Sequence, residues 1–243
     1  MNNKVQALFG DKKFILAMLH LKGCSDYEVL ERAKREIEIY RACGVDAVIV
    51  ENYFGSPAQV ESVLHYLDSH NINITYGVNL LDNDQQGFEL AKKYHASFIQ
   101  LDSVAGHLTP DDDPAFAQFI AQQRQDSDIA IFGGVRFKYQ PYKSGRSLEE
   151  DLILGMQRCD AIVVTGDATG EETNERKIRE FKAIIGDFPL IIGAGITVDN
   201  CQQQLALGCG AVVGSYFKDT YKDSGDVSAE HVAQLMNKVN KHD

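Results

Sequence analysis

The chain has 243 residues and a formal net charge of -11 at pH 7, and its pI is near 5.1. A chain this acidic lacks the basic stripe that binds a phosphate backbone, so we expect no nucleic-acid partner. Its apolar runs are far shorter than the roughly 18 residues that span a bilayer, which predicts no integral membrane segment and a cytoplasmic location.

Apolar, strand-like runs alternate with charged, helix-permissive stretches along the whole chain. The run Ala47-Val-Ile-Val50 lacks polar alternation, as is typical of a parallel strand covered on both sides. The predicted strands begin near Phe14, Ala47, Ile74, Phe98, Ile129, Ala161, Leu190 and Ala211. Eight such units predict the α/β class and one (β/α)8 TIM barrel domain over residues 1–243, close to the roughly 250 residues typical of this fold.

Helix starts support this organisation, and they are predicted at Ser25/Asp26, Ser56-Pro57, Ser147 and Ser228. The alternative is a doubly wound open sheet. It is disfavoured because Met18-Leu-His-Leu-Lys-Gly23 follows the first strand, where a dinucleotide-binding sheet carries a glycine-rich fingerprint. No cofactor is predicted.

Polar side chains follow six of the predicted strands, at the end where barrels place their active sites. Three of them, Glu51, Asp102 and Lys138, are predicted to be catalytic. The others are predicted to bind substrate, and in chain order they are His20, Asn52, Asn79, Arg136, Thr165 and Thr169.

Glu51 and Asn52 lie on opposite faces of strand two, so only one of them points straight into the barrel mouth. Glu51 suits a general base or a metal ligand, and Asn52 suits an anchor for a hydroxyl or an oxyanion. His20 suits an acid or a base, although a single histidine at a strand end is more often a hydrogen-bonded neighbour of the site.

Strands four and five are neighbours with charged ends. Gln100 and Asp102 share one face of strand four, and Arg136 and Lys138 share one face of strand five. A carboxylate facing these cations could form a proton-transfer pair with Lys138, or could belong to a structural ion-pair layer. A Schiff base on Lys138 is a third reading and requires a lowered pKa.

Glycines end the last two predicted strands, in Pro189-Leu-Ile-Ile-Gly-Ala-Gly-Ile-Thr197 and Gly210-Ala-Val-Val-Gly-Ser-Tyr-Phe217. Such glycines expose backbone N–H groups, and strands seven and eight are where these barrels most often hold a phosphate. The simpler reading is a pair of tight turns. Together the two segments predict a phosphate site at Gly193, Gly195, Gly214 and Ser215.

No metal site is predicted, because the five cysteines show no paired spacing. Asp111-Asp112-Asp113 is better explained as the acidic start of the helix after strand four. The loop Phe137-Lys-Tyr-Gln-Pro-Tyr142 places three aromatic residues within six positions. Exposed tyrosines there predict either a homo-oligomer contact or a lid over the mouth.

Five segments together resemble the BtpA/SgcQ family: Met18-Leu-His-Leu21, Asp46-Ala-Val-Ile-Val-Glu-Asn52, Gly77-Val-Asn79, Asp160-Ala-Ile-Val-Val-Thr-Gly166 with Thr169-Gly170, and Gly193-Ala-Gly-Ile-Thr197. The resemblance covers nearly the whole chain and implies a barrel of the ribulose-phosphate-binding type. It supplies no reaction: one branch is linked to photosystem I biogenesis, and SgcQ-like members look like sugar-metabolism enzymes.

The chain departs from the family pattern at two loops. Ser103-Val-Ala-Gly-His107 stands where the family has a small-residue loop, and Arg136-Phe-Lys-Tyr139 stands where it has a Val-Lys-His run. The family lysine therefore carries over to Lys138, whereas no role carries over for the histidine that Tyr139 replaces.

These observations predict an enzyme that acts on a small phosphorylated metabolite, a sugar phosphate or a nucleotide-like compound, by acid–base or Schiff-base chemistry. The alternative is a non-catalytic binding or assembly factor of the BtpA type. A metal-dependent hydrolase ranks last, because no His-x-His follows strand one.

Overall fold

Eight parallel strands close into a barrel in the order β1 to β8, with β8 paired to β1. The structure is a computed structural model, and it describes residues 4–240. The strands are β1 Phe14–Leu19, β2 Ala47–Glu51, β3 Thr75–Asn79, β4 Phe98–Ala105, β5 Ala130–Val135, β6 Ala161–Val164, β7 Leu190–Ile192 and β8 Gly210–Val213. The predicted (β/α)8 TIM barrel is thereby confirmed, while the six remaining residues of the predicted 1–243 domain lie outside the described range.

Helices connect the strands and cover the barrel from outside. They are α1 Lys4–Phe9, α2 Asp26–Ala42, α3 Pro57–Ser69, α4 Asp84–Lys93, α5 Asp113–Asp126, α6 Leu148–Arg158, α7 Glu175–Ile185, α8 Cys201–Leu205 and α9 Ala229–Val239, with a 3-10 turn over Ser215–Phe217. None of the helices within residues 4–240 is long and apolar enough to cross a membrane.

The predicted helix starts coincide with serine caps. Ser25, Ser56, Ser147 and Ser228 each accept a hydrogen bond from a backbone N–H of the first turn. Five strand starts also fall where they were predicted, and the other three shift by one residue, to Thr75, Ala130 and Gly210.

Alternate strand residues feed two separate apolar layers. On β1, Ile15, Ala17 and Leu19 pack outward against the helices, whereas Phe14, Leu16 and Met18 pack inside the barrel. This period of two decides which side chains reach the mouth.

Helix α1, which the strand pattern did not predict, packs against the barrel's inner apolar cluster at its N-terminal end. Val5 and Phe9 belong to the inner apolar cluster, and the Phe9 ring stacks on Phe14 with centroids 4.1 Å apart. Gly210 makes room for Phe14, because a Cβ at this glycine would lie 2.3 Å from the ring. The N-terminal end is therefore filled, and the site lies at the opposite end.

Candidate functional site

A cavity of about 680 Å³ opens at the C-terminal ends of the strands. Strand alternation places one inward-facing residue of each strand, or of the loop that follows it, around this mouth. On the first four strands these residues are His20, Glu51, Asn79 and Asp102, and on the last four they are Gly134, Thr165, Gly193 and Gly214. Of the predicted polar residues, His20, Glu51, Asp102, Lys138 and Thr169 line the cavity, whereas Asn79 and Thr165 are buried and do not line it.

Asn79 links the two carboxyl groups of the site. Its Nδ2 donates to Glu51 Oε1 at 3.2 Å and to Asp102 Oδ1 at 3.1 Å. Burial, reinforced by the nearby Asp102 charge, raises the pKa of Glu51 to about 8. Burial also raises the pKa of Asp102, which the hydrogen bond from Asn79 and the Lys138 charge oppose. Glu51 therefore holds a proton near neutral pH, next to a second carboxyl group.

His20 is the buried neighbour of Glu51. Its Nε2 lies 3.7 Å from Glu51 Oε2, and its Nδ1 lies 3.3 Å from the backbone oxygen of Asp223. Burial lowers the His20 pKa to about 3, with a smaller contribution from Lys218. At neutral pH a neutral imidazole thus lies near a protonated carboxyl group, and the pair places no net charge in the buried part of the site.

Lys138 follows β5 and lines the same cavity. Its backbone N–H donates to Thr165 Oγ1 at 2.9 Å, and its Nζ lies 5.6 Å from the centroid of the Phe137 ring. No salt bridge of Lys138 is found among residues 4–240. The structural ion-pair layer considered above therefore does not form through this side chain.

Arg136 does not share a face with Lys138 and does not reach the cavity. Strand β5 ends at Val135, and Arg136 adopts a left-handed backbone with φ of 46°. This turn breaks the strand alternation, so the Arg136 guanidinium instead donates from Nε to Asp151 Oδ2 at 3.2 Å on α6. The geometry gives Arg136 a structural contact where substrate binding was predicted.

Asn52 also lies away from the cavity, on the outer side of β2. Its Oδ1 accepts a hydrogen bond from the backbone N–H of Leu81 at 2.7 Å. This contact joins the loops after β2 and β3. Of the pair considered for strand two, Glu51 points inward and Asn52 braces the rim.

The opposite wall of the cavity is made of backbone. Gly195 has φ of 72°, and a Cβ at this position would lie 2.2 Å from Glu172 Cα. Within residues 4–240, no acceptor is found for the N–H groups of Gly195 and Ile196. Gly193, by contrast, donates to the Val164 oxygen at 2.7 Å. Its amide is therefore already used within the sheet.

Two further loops converge on this wall. Gly170 approaches the Ser215 side chain so closely that a Cβ at Gly170 would lie 2.8 Å from Ser215 Oγ. Gly214 and Ser215 line the cavity at the start of the 3-10 turn, and Thr169 lines it from the loop after β6. Three loops thus surround one small volume with backbone and hydroxyl groups.

Four tyrosines line the outer rim of the cavity, and Tyr139 is the one among them that the sequence analysis considered as a lid or interface residue. Tyr139 accepts a hydrogen bond at its hydroxyl from the Thr169 N–H at 3.0 Å, so it leans across the mouth. Tyr142 instead stacks on Arg136, with the guanidinium carbon 5.3 Å from the ring centroid. Tyr53, Tyr216 and Tyr221 also line the cavity. The position of Tyr139 fits the lid better than the interface.

Sequence reasoning missed the segment between the 3-10 turn and α9. It reaches over the mouth because His20 Nδ1 contacts the Asp223 oxygen, while Lys22 Nζ donates to Ser224 O at 2.6 Å. The pattern of residues at strand ends gives no sign of a contact between segments so far apart in sequence.

Within residues 4–240, no three His, Cys, Asp or Glu side chains are grouped so that they could hold a metal ion. Asp113, from the acidic run considered above, is instead paired with Arg158 at 2.7 Å.

The comparison with known sequences identifies a family over nearly the whole chain. The sequence model of the BtpA family matches residues 11–241. An uncharacterised protein of Methanocaldococcus jannaschii is 24% identical, over 95% of this chain and 96% of its own. The photosystem I biogenesis protein BtpA of Synechocystis is 28% identical, over 78% of this chain and 72% of its own.

Solved structures share the fold at low identity. A geranylgeranylglyceryl phosphate synthase from Thermoplasma acidophilum, in complex with sn-glycerol-1-phosphate, has a TM-score of 0.61 at 14% identity and covers 98% of this chain and 97% of its own. A Schiff-base-forming fructose-1,6-bisphosphate aldolase has a TM-score of 0.60 at 12% identity, covering 97% and 98%. These likenesses concern the barrel alone.

Proposed function

The chain belongs to the BtpA family, and we propose that its barrel binds a small phosphorylated metabolite, a sugar phosphate or a nucleotide-like compound, and acts on it by acid–base chemistry. One observation carries this proposal. A single cavity holds a carboxyl pair bridged by Asn79 on one wall and the unpaired backbone N–H groups of Gly195 and Ile196 on the other.

The backbone wall supplies the phosphate site. Amide groups that point into a cavity can bind an anion without a cationic side chain, which suits a strongly acidic chain. Gly195, Ile196, Gly214 and Ser215 are the residues proposed for this role, and Thr169 adds a hydroxyl group. Gly193 contributes space, since its own N–H is bonded to Val164.

The carboxyl wall supplies the proton transfer. Glu51 carries a proton near neutral pH and is the proposed general acid. Asp102, held by Asn79 and facing the Lys138 charge, is the proposed base. Two carboxyl groups with different proton affinities can serve as an acid and a base on one substrate.

Lys138 has two proposed roles. Its ammonium group can stabilise negative charge that develops on a substrate carbonyl or enolate. Alternatively its amine can form a Schiff base with that carbonyl. Reduction of a mixture of protein and substrate with borohydride separates them, because only the Schiff base leaves a covalent adduct on Lys138.

The alternative proposal is a non-catalytic assembly factor, which the name of the Synechocystis relative suggests. The buried carboxyl groups of Glu51 and Asp102 disfavour it, because burying them destabilises the fold and a purely structural barrel does not need them. The homo-oligomer, the cytoplasmic location and the lack of a nucleic-acid partner stay predictions.

The test of phosphate binding at the backbone wall compares Gly214→Asp with Gly214→Asn. Both variants place a Cβ 3.1 Å from His20 Cε1, so they share the same steric change. Only aspartate adds a negative charge where the anion is proposed to bind. We expect calorimetry with inorganic phosphate to detect binding to the wild type, weaker binding to the asparagine variant and none to the aspartate variant.

Equal affinities in all three proteins would remove the phosphate from this position. A thermal-shift screen with phosphorylated metabolites, followed by a turnover assay of each hit, then tests the reaction. Binding without turnover of any hit would favour the assembly factor.

A further inference from the structure

The cavity continues below the ring of titratable side chains. Met18, Gln100 and Val212 line it, and each stands two residues before an inward-facing mouth residue, His20, Asp102 or Gly214. Two residues of strand correspond to roughly 6–7 Å. The cavity therefore has a lower compartment, nearer the centre of the barrel than the carboxyl pair.

Gln100 is the polar side chain of this lower compartment. It is only 5% exposed, and its Oε1 has no hydrogen-bond partner among the described residues 4–240. Its inward direction follows from the register, in which Gln100 pairs with Phe132 of the inner cluster. The oxygen is shielded in this side-chain orientation, and a half-turn of the carboxamide about its last bond would exchange the oxygen with the amide nitrogen. A donor that met the oxygen would offset the free-energy cost of burying it without a partner.

The surroundings of Gln100 restrict what that donor can be. Met18, Val212 and Phe137 are apolar, and all three line the cavity. A carboxylate or a second phosphate lacks a donor and would have to pass Glu51 and Asp102. A hydroxyl group brings one donor and one acceptor, which matches a carboxamide.

We propose that Gln100 is a specificity-determining residue that binds a neutral hydroxyl group of the substrate in this lower compartment. The inference rests on the proposed function, because it assumes that the phosphate of the same molecule is held by the amides near Gly195. The substrate then lies with its phosphate on the β7–β8 wall, its reacting carbons beside Glu51 and Asp102, and a hydroxyl-bearing end at Gln100.

The test combines ligand and protein variants in a thermodynamic cycle. The probes are inorganic phosphate, ribose 5-phosphate and the 1-, 2- and 3-deoxy analogues of ribose 5-phosphate. The proteins are the wild type, Gln100→Met, which keeps the length of the side chain, and Gln100→Asn, which keeps the carboxamide. Gln234→Met is the control, because Gln234 lines the exposed outer rim of the same cavity.

We expect the wild type to bind one deoxy analogue about tenfold or more weakly than ribose 5-phosphate. Gln100→Met should weaken ribose 5-phosphate by a similar factor, leave that analogue unchanged and leave inorganic phosphate unchanged. Gln100→Asn should restore part of the discrimination, and Gln234→Met should match the wild type.

Two other results overturn the inference and are distinguishable. If inorganic phosphate binds but Gln100→Met discriminates among the sugars as the wild type does, or weakens every probe equally, Gln100 does not read a hydroxyl group. If inorganic phosphate does not bind the wild type, the phosphate site fails and the placement of the substrate against Gln100 fails with it.

Discussion

The two halves of the barrel mouth differ in the residues at equivalent inward-facing positions: one half has titratable or polar side chains, and the other has mainly glycines. The half built by β1–β4 carries His20, Glu51, Asn79 and Asp102, while the half built by β5–β8 carries Gly134, Thr165, Gly193 and Gly214. Titratable groups need burial and neighbours to shift their pKa values. Backbone amides need side chains to be absent before an anion can approach. The division into halves lets one mouth meet both conditions.

The largest expected effect is a loss of stability from a substitution in the loop after β7, which belongs to the glycine-rich half. Gly195→Ala adds a Cβ only 2.2 Å from Glu172 Cα, at a φ of 72°. We expect the free energy of unfolding to fall by roughly 4 kcal/mol or more, because both backbones must shift. Thermal denaturation measures this.

Gly44→Ala is the matched control for Gly195→Ala. Gly44 has a φ of 75° at the end of α2 but no atom within 4 Å of the added Cβ. The control therefore reports the backbone strain alone, about 1–2 kcal/mol. Similar losses in the two variants would show that the close approach to Glu172 is unimportant.

The second prediction concerns Lys138, which follows β5 and whose charge acts on Asp102 in the other half. Lys138→Ala should lower kcat roughly a hundredfold, about 2.7 kcal/mol, with a modest change in KM, because the ammonium group would act in the transition state. Steady-state kinetics with a substrate from the metabolite screen provides the measurement. Lys138→Arg keeps the charge and should retain part of the activity, unless a Schiff base is required.

A purely structural Lys138 would give a different pattern. Its removal would lower the melting temperature and the activity in parallel. A melting temperature close to that of the wild type, combined with the kcat loss, supports the transition-state role.

The smallest expected effect is a pH dependence of the folding stability, which arises from Glu51 and His20 in the titratable half. The pKa of Glu51 rises from 4.5 to about 8 on folding, so the folded chain binds the extra proton and loses stability as pH rises through that window. The pKa of His20 falls from 6.5 to about 3, which has the opposite sign between those values. The two effects oppose each other between pH 4.5 and 6.5, and above pH 6.5 only the loss from Glu51 continues.

Glu51→Gln should therefore gain stability relative to the wild type between pH 6.5 and 8, by roughly 2 kcal/mol. Denaturant unfolding at a series of pH values measures the difference. Glu149→Gln removes an exposed carboxyl group on α6 and serves as the control. A stability difference between Glu51→Gln and the wild type that does not change with pH would mean that Glu51 does not hold the proton.

Strand periodicity predicted most of this comparison. Apolar runs located the strands, and a period of two separated Glu51 from Asn52 and put Gln100 and Asp102 on one face, while the assembled barrel shows which faces point inward. The same rule failed at Arg136, where a left-handed residue ends the alternation. It was also silent on Asp223, whose contact with His20 spans 203 positions. A local sequence pattern can predict a strand, whereas loop conformations and contacts between segments distant in sequence depend on the assembled barrel.

The stacking of Phe9 on Phe14 has a kinetic consequence. Because α1 covers the inner apolar cluster at the N-terminal end of the barrel, the proposed substrate and product would both pass through the C-terminal mouth, where the cavity of about 680 Å³ opens. A product that keeps its phosphate would remain a ligand of the same amides after the reaction. Release, rather than bond-making, is then expected to limit turnover, and inhibition by accumulated product should be competitive with substrate.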